Sequence, residues 1–457
     1  MSARIQRVVF FALVIDLLAF TIPLPLFPRL IEWYTSREGK DVNGILYKSL
    51  SIVTRIRSWF LSDARGESVR KRWDIVLLGG LLGSLFSTLQ YIISPALGTL
   101  SDKFGRKRIL MLSMIGNLLS AIVWLQSTSF ASFMLSRAIG GISEGNVQLS
   151  IAILSDITTP MARGRALSLV GIAFGICFCI GPPLGAYFAS RPISTSLAGV
   201  ELNIYAAPAA LTLVLLSIET AFLAYFLPET KGRGPLADLD DIVDSNDVSP
   251  TLRKPKYSST EVRLDTLQAL KRYHFLFLSV FSGVEFTLMF LTFDLFDWNN
   301  LENGRLLGLI GVLSTVLQGG YVRRMIGKVG EIKMARRGVM SCIISLIILS
   351  RIPNLAKEPR TIPKAIRLLY LSAAFFAFTS ATVVNALTSA ASLQCDDGLE
   401  EDSIPTHPEL RKGRALGKFR SSGQLGRAIG PLLACASYWS FGGSLQYDAI
   451  RRGLISL

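Results

Sequence analysis

Apolar stretches, many of them near the twenty residues that cross a bilayer as a helix, fill most of this chain and leave it few ways to fold. In hydrocarbon every backbone N–H and C=O must find its partner inside the chain, so such stretches become helices packed on one another. The runs lie at Val8 to Phe27, Ile75 to Leu97, Ile109 to Gln126, Phe130 to Leu154, Ala166 to Phe188 and Tyr205 to Leu227. They resume at His274 to Phe293, Leu306 to Val322, Gly338 to Ser350, Leu368 to Leu393 and Leu416 to Phe441, the ninth being short or tilted. Half of the 457 residues are hydrophobic and only 18% are charged, which excludes an ordinary soluble enzyme. The expected fold class is an all-α, multi-pass membrane protein with about eleven spans.

The net charge of +15 does not point to nucleic acid, because the cations sit mostly in short segments between apolar runs. There they hold those segments in the cytosol. Arg4 and Arg7 before the first run place the N-terminus in the cytosol, and Pro23, Pro25 and Pro28 stand where a signal peptide would carry a small-residue cleavage site. Residues Arg29 to Asp74 read as a polar, basic first loop on the far side, with Trp59 and Phe60 resting at the interface. Their cations run against the positive-inside rule, which weakens as loops lengthen. Cys177, Cys179, Cys342 and Cys435 lie in apolar runs as small hydrophobes. Cys177 and Cys179 are two apart, hence on nearly opposite helix faces, and make no metal pair. With only His274 and His407 and no nucleophile cluster, no metal, cofactor or enzyme activity is expected.

Between the second and third runs stands Gly98-Thr-Leu-Ser-Asp102-Lys-Phe-Gly105-Arg106-Lys107-Arg108. Two glycines allow close helix approach and a positive φ, the cations stay out of the bilayer, and Asp102 is fixed among them. This stretch resembles the signature loop of the major facilitator superfamily. The resemblance implies a secondary transporter of two six-helix halves that rock about a central cavity. On that pattern residues 1–230 form the first half, 231–272 a cytosolic central loop and 273–457 the second half. The chain's own repeat agrees with it: Gly164-Arg-Ala-Leu167 recurs as Gly413-Arg-Ala-Leu416, and Gly181-Pro182 as Gly430-Pro431, in the same register. A weaker echo, Gly319-Gly-Tyr-Val-Arg323-Arg324, follows the eighth run. Residues Gln394 to Arg414 read as an insertion. Gly442 to Leu457, with Asp448, Arg451 and Arg452, are too few and too polar for the family's twelfth helix. Either the chain is a shortened form or the protein ends with an odd helix count and its C-terminus outside.

Charges inside membrane runs are expensive and therefore mark function. Asp16 lies near mid-depth in the first run, where a carboxyl group can load and release a proton. The segment with its Pro-x-Pro exit resembles the first helix of drug:proton antiporters and vesicular amine transporters. Leu135-Ser-Arg137-Ala-Ile-Gly140-Gly141 resembles the family's fourth-helix motif, whose arginine is linked to proton transfer. Arg137 and Glu144 are seven apart, on one helix face, and can line one path without pairing. Gly171, Gly175, Pro182 and Gly185 fall on one stripe of the fifth helix, which resembles the antiporter motif, although Ala186 replaces its final glycine. With Gly181, Gly430 and Pro431 they are candidates for helix bending and close packing. Arg420 and Arg427 share a face of the eleventh run, and Glu285 in the seventh is the candidate partner for one of them, leaving the other for an organic anion.

The first run, the Arg137 segment, Phe281-Ser-Gly-Val-Glu285 and Phe419 to Pro431 most resemble the tetracycline transporter-like group of animals. That resemblance implies transport of organic anions or drugs, coupled to protons. The expectation is Asp16, Arg137 and Glu144 for protons, Glu285, Arg420 and Arg427 for substrate, and Gly98, Asp102, Gly105, Arg106 and Lys107 for the gate. The resemblance further implies that Asp102 meets the start of the eleventh helix, near Arg414. The partners expected are a small-molecule substrate, protons and the lipid bilayer, with the chain a monomer. A non-transporting membrane scaffold or regulatory short form, and a facilitative uniporter, are the alternatives.

Overall fold

The computed structural model describes residues 2–39, 41–60, 67–191, 196–197, 200–232, 259–298, 300–396 and 407–441. Helix α1 (Ser2–Thr21) enters the bundle, and the prolines that follow it form a single 3-10 turn. Two helices come next, α2 (Phe27–Glu38) and α3 (Ile45–Phe60), where the sequence reads as a polar loop. Their apolar residues recur at helical spacing, and Leu30, Ile31, Tyr34, Leu46 and Val53 are buried against the bundle. The side chains of Trp59 and Phe60 lie outside the described residues.

Helix α4 (Glu67–Phe104) and α5 (Arg106–Leu125) are joined by one residue, Gly105, at φ 105°. Only glycine adopts that backbone region without strain, so the signature stretch is a helix end and a one-residue turn rather than a loop. The fourth run, read as one span, is two helices, α6 (Phe130–Ser143) and α7 (Asn146–Asp156), broken at Glu144 and Gly145. Ser129 caps α6 by accepting from the Ser132 N–H. Helix α8 (Pro160–Ala189) runs unbroken through Pro182 and Pro183, and α9 (Ala206–Phe226) closes the first half after a two-residue β-ladder, Ser196–Leu197 with Val200–Glu201.

In the second half α10 (Thr260–Phe296) begins inside the stretch 231–272 that reads as a loop, so that stretch is helical from Thr260 onward. Residues 233–258, the middle of the expected central loop, lie outside the described residues. Helix α11 (Asn300–Leu317) continues through a π turn, Gln318–Val322, into α12 (Arg323–Val329). The echo at Gly319 to Arg324 therefore sits within a span and not after it. The turn that matches Gly105 is Gly330, at φ 87°, which leads into α13 (Glu331–Leu355). Helices α14 (Ile362–Leu393) and α15 (Lys412–Phe441) complete the bundle. Most of the insertion, 397–406, and the stretch 442–457, on which the expectation of an absent twelfth helix rests, lie outside the described residues.

Among the described residues eight helices are long and apolar enough to cross a membrane. The fourth expected span falls outside that number because its two pieces have 14 and 11 residues. The seventh and eleventh, α10 and α15, fall outside it too, and α15 carries Lys412, Arg414, Lys418, Arg420 and Arg427. Packing follows the repeat: α4 lies along α15, while α8 lies along α11, α12 and α14. At one end of the bundle the cations that precede the two repeated words converge, with Arg163 Nη2 and Lys412 Nζ both donating to the Ser155 carbonyl at 3.3 and 3.1 Å. Arg163 also donates to the Ser392 carbonyl, and the Ser392 hydroxyl donates to that of Ser155 at 2.9 Å.

Candidate functional site

Two sets of candidate side chains stand apart along the bundle. The first lies at the Gly105 end. Gly98 on α4 faces Gly413 on α15 so closely that a Cβ at either position would overlap the other's carbonyl. That approach brings the Asp102 carboxylate to the α15 N-terminus, where it accepts from the Gly413 and Arg414 N–H groups at 2.9 and 2.8 Å. These are two of the donors that a helix start leaves without partners inside the helix. Arg106 holds the same carboxylate at 2.8 Å and reaches Asp156 at 2.9 Å, while Lys412 lies 3.5 Å from Asp156. The network thus crosses from α4 and α5, through the end of α7, to α15 of the other half. Glu229 caps α5 by accepting from the Arg106 and Lys107 N–H groups at 2.8 and 3.2 Å, and Lys107 Nζ donates to the Ala224 carbonyl.

The second set lies inside the first half. Asp16 is 3% exposed, and its Oδ1 accepts from Asn146 Nδ2 at 2.7 Å. Its Oδ2 has no hydrogen-bond partner. The break between α6 and α7 explains how Asn146 gets there: it is the first residue of α7, one after Gly145. Glu144 caps the end of α6, and Asn117 of α5 lies 3.5 Å from its carboxylate. Arg137 places its guanidinium over the Phe86 and Phe27 rings, at 4.6 and 5.4 Å from their centroids, and interacts electrostatically with Glu144. These groups border a cavity of about 60 Å³. Every residue lining it belongs to the first half, whereas the repeat predicts a cavity between the halves.

Arg420 of α15 interacts electrostatically with Glu144 and Asp16, so it is the group through which the second half reaches this set. Arg427, one heptad further along the same face, acts on Arg420 and on Glu285. Among the described residues neither arginine has a carboxylate within ion-pair distance, so Glu285 faces Arg427 without forming a contact pair with it. Arg427 is exposed and Arg420 half-buried.

The α8 glycines, of which Gly171, Gly175 and Gly185 were expected on one stripe, divide between two neighbours. Gly171 and Gly175 press on Gln318 and Thr315 of the second half, whereas Gly181 and Gly185 press on Thr21 and Ile22 beside α1. Pro182 is set between them in the unbroken helix. Gly430 packs on Ser279 and Ser282 of α10, with Pro431 next to it. Several residues of the two sets were not singled out from sequence. Asn146 and Asn117 are amides in apolar runs, Asp156 ends α7, and Lys412 precedes a repeated word. The signal for Lys412 was present, since Arg163 precedes the other copy.

A family model described as Major Facilitator Superfamily matches residues 9–431. The human protein named major facilitator superfamily domain-containing protein 10 is 35% identical over 450 residues, 96% of this chain and 88% of that protein. Tetracycline resistance protein class H of Pasteurella multocida is 29% identical over 256 residues, covering 55% of this chain and 58% of its own. Among solved structures, the crystal structure of the human organic anion transporter MFSD10 (TETRAN) superposes with a TM-score of 0.77 at 32% identity, covering 100% of this chain and 98% of that one. The proton:xylose symporter XylE superposes at 0.61 with 15% identity, a likeness of fold alone.

Proposed function

Because this chain belongs to the major facilitator superfamily, a family of membrane transporters, we propose that it moves small amphipathic organic anions by alternating access, coupled to protons. The observation that carries this reading is the placement of Arg420: a cation from the second half acts on two buried carboxyl groups of the first, Asp16 and Glu144. A guanidinium largely withdrawn from water, as that of half-buried Arg420 is, needs a counter-charge. Either the carboxylates or an organic anion can supply it, and they compete. When Asp16 and Glu144 are ionised they satisfy Arg420; when they hold protons Arg420 is available to the anion. Proton occupancy and anion occupancy are thereby linked at one side chain. Arg427, exposed on the same face, offers the anion a second contact.

The cytosolic gate in this reading is the Gly105 end, with the N-terminus of the chain on the same side. Its closed form is the arrangement described above, Asp102 at the α15 N-terminus. The human relative is described as an organic anion transporter, which supports the substrate class. A monomer is sufficient for this reading, since both halves of the site come from one chain.

Purified protein in liposomes tests the reading. Fluorescein, an aromatic carboxylate, should accumulate when a pH gradient of one polarity is imposed and not when the polarity is reversed. Asp16→Asn should abolish that accumulation. Equal uptake under both polarities, or gradient-driven uptake by Asp16→Asn, overturns the reading.

A further inference from the structure

Glu219 of α9 has no part in the site as described so far. It lies three residues after Leu216 and seven after Thr212, both of which line the cavity, so the three share one helix face. Glu219 is 2% exposed, and its Oε2 has no hydrogen-bond partner, as is also true of Asp16 Oδ2. The charges that act on Glu219 are those of Asp16 and Glu144.

Among the described residues the neighbouring elements carry their cations toward their ends, Lys107 of α5 reaching α9 only at the Ala224 carbonyl, and no cation acts on Glu219. Helix α9 packs on α1, α5 and α8. From α1 comes Asp16; from the break after α6, Glu144; from α5, whose stretch Ile109–Leu125 has no charged residue, the amide Asn117. From α8 comes the Cys177 thiol, which donates to the Val14 carbonyl at 3.1 Å. Arg137 acts on Glu144, and Arg420 on Glu144 and Asp16. Three carboxyl groups thus face two guanidiniums, leaving one carboxyl group without a counter-charge. In an apolar wall an oxygen with neither a donor nor a counter-charge is satisfied by carrying a proton.

We propose that Glu219 is a third proton-holding group of the transport site, sharing protons with Asp16 and Glu144 across the cavity of the first half. The inference rests on the proton-coupled reading above and extends it. A cavity of this size has room for water. Asn117, Ser120, Ser136 and Thr212 line it with an amide and three hydroxyls, so a proton can pass between carboxyl groups through water. The store lies wholly in one half. Substrate held by Arg427 and the second half can therefore change without displacing the stored proton, and Arg420 is the place where the two pathways meet.

Infrared difference spectroscopy on the reconstituted protein tests this. The wild type should show the carbonyl band of a neutral carboxyl group at neutral pH. That band should vanish in Glu219→Gln and move in frequency in Glu219→Asp. The pH midpoint of fluorescein uptake should shift by about one unit in Glu219→Gln, a tenfold change in the governing protonation. An unchanged band together with an unchanged midpoint overturns the proposal. If Glu219→Gln does not fold, the shifted band of Glu219→Asp decides, and an unshifted band overturns the proposal. Gradient-driven accumulation by Asp16→Asn removes the transport reading itself. If it does so while Glu219→Gln still loses its band, Glu219 stores a proton unconnected with transport, and the coupling role fails.

Discussion

Replacing Asp102 by asparagine should open the Gly105 end of the bundle. The Asp102–Arg106 pair lies within one half, so separating the halves does not itself break it. What differs between conformations is the pair of bonds from the Gly413 and Arg414 N–H groups, made only when α4 meets α15. Asparagine keeps one acceptor for one of these donors and turns its NH₂ toward the other. The loss is one hydrogen bond to a charged acceptor, about 1.5–3 kcal/mol, with up to about 1 kcal/mol of attraction to the helix terminus. A loss of about 2 kcal/mol shifts the closed-to-open ratio about 30-fold. Spin labels on Arg108→Cys and Arg411→Cys, both exposed, report the distance across the joint. Asp102→Asn should move that distribution to longer distances and slow uptake at equal membrane abundance. An unchanged distribution with unchanged flux refutes the reasoning.

Gly98→Ala should act in the same direction and more strongly, because its Cβ overlaps the Gly413 carbonyl, and the same labels read it out. Gly181→Ala places a methyl against Thr21 and should lower the thermal midpoint in detergent through about 1–3 kcal/mol of overpacking between α1 and α8. Glu409, ahead of α15, pairs with Arg414 at 2.6 Å and Lys418 at 2.5 Å. Partial burial alone would raise its pKa, but the Lys418 hydrogen bond and the charges of Lys418, Arg414 and Lys271 hold it below the usual glutamate value. Its contribution to stability is therefore present above that usual value and lost as pH falls through the lowered one. Glu409→Gln should flatten that acid limb of the melting curve while leaving neutral stability within about 1 kcal/mol.

The spans were legible because hydrocarbon allows an apolar run little else than a helix, and Asp102 was legible because fixed spacing ties it to a turn. Helices α2 and α3 were harder to read. Their apolar residues are diluted by cations, and only the spacing of Leu30, Ile31 and Tyr34 betrays a buried face. The break at Gly145 left no mark either, since glycine is ordinary inside membrane helices. Without the break Asn146 has no route to Asp16. The inward placement of the cavity depends on how six helices pack, which no local pattern encodes. The glycine stripe of α8 foretold close packing but not its partners, because one face of a long helix meets different neighbours at different depths.

The two matched turns also set the chemistry of the two joints between the halves. Three residues before Gly105 stands Asp102, and three before Gly330 stands Gly327, with no side chain to offer the α8 N-terminus. There Gly164 meets Ile326 and Ser389 instead. One joint closes on a carboxylate; the other closes on the Ile326 side chain and the Ser389 hydroxyl, with Arg163 donating to the Ser392 carbonyl nearby. Salt weakens the first, where the Asp102 carboxylate meets Arg106 and the α15 N-terminus. A chain built on a near-repeat thus joins its halves through two chemically unlike contacts, one closed by a carboxylate and one with no carboxylate at the matched position.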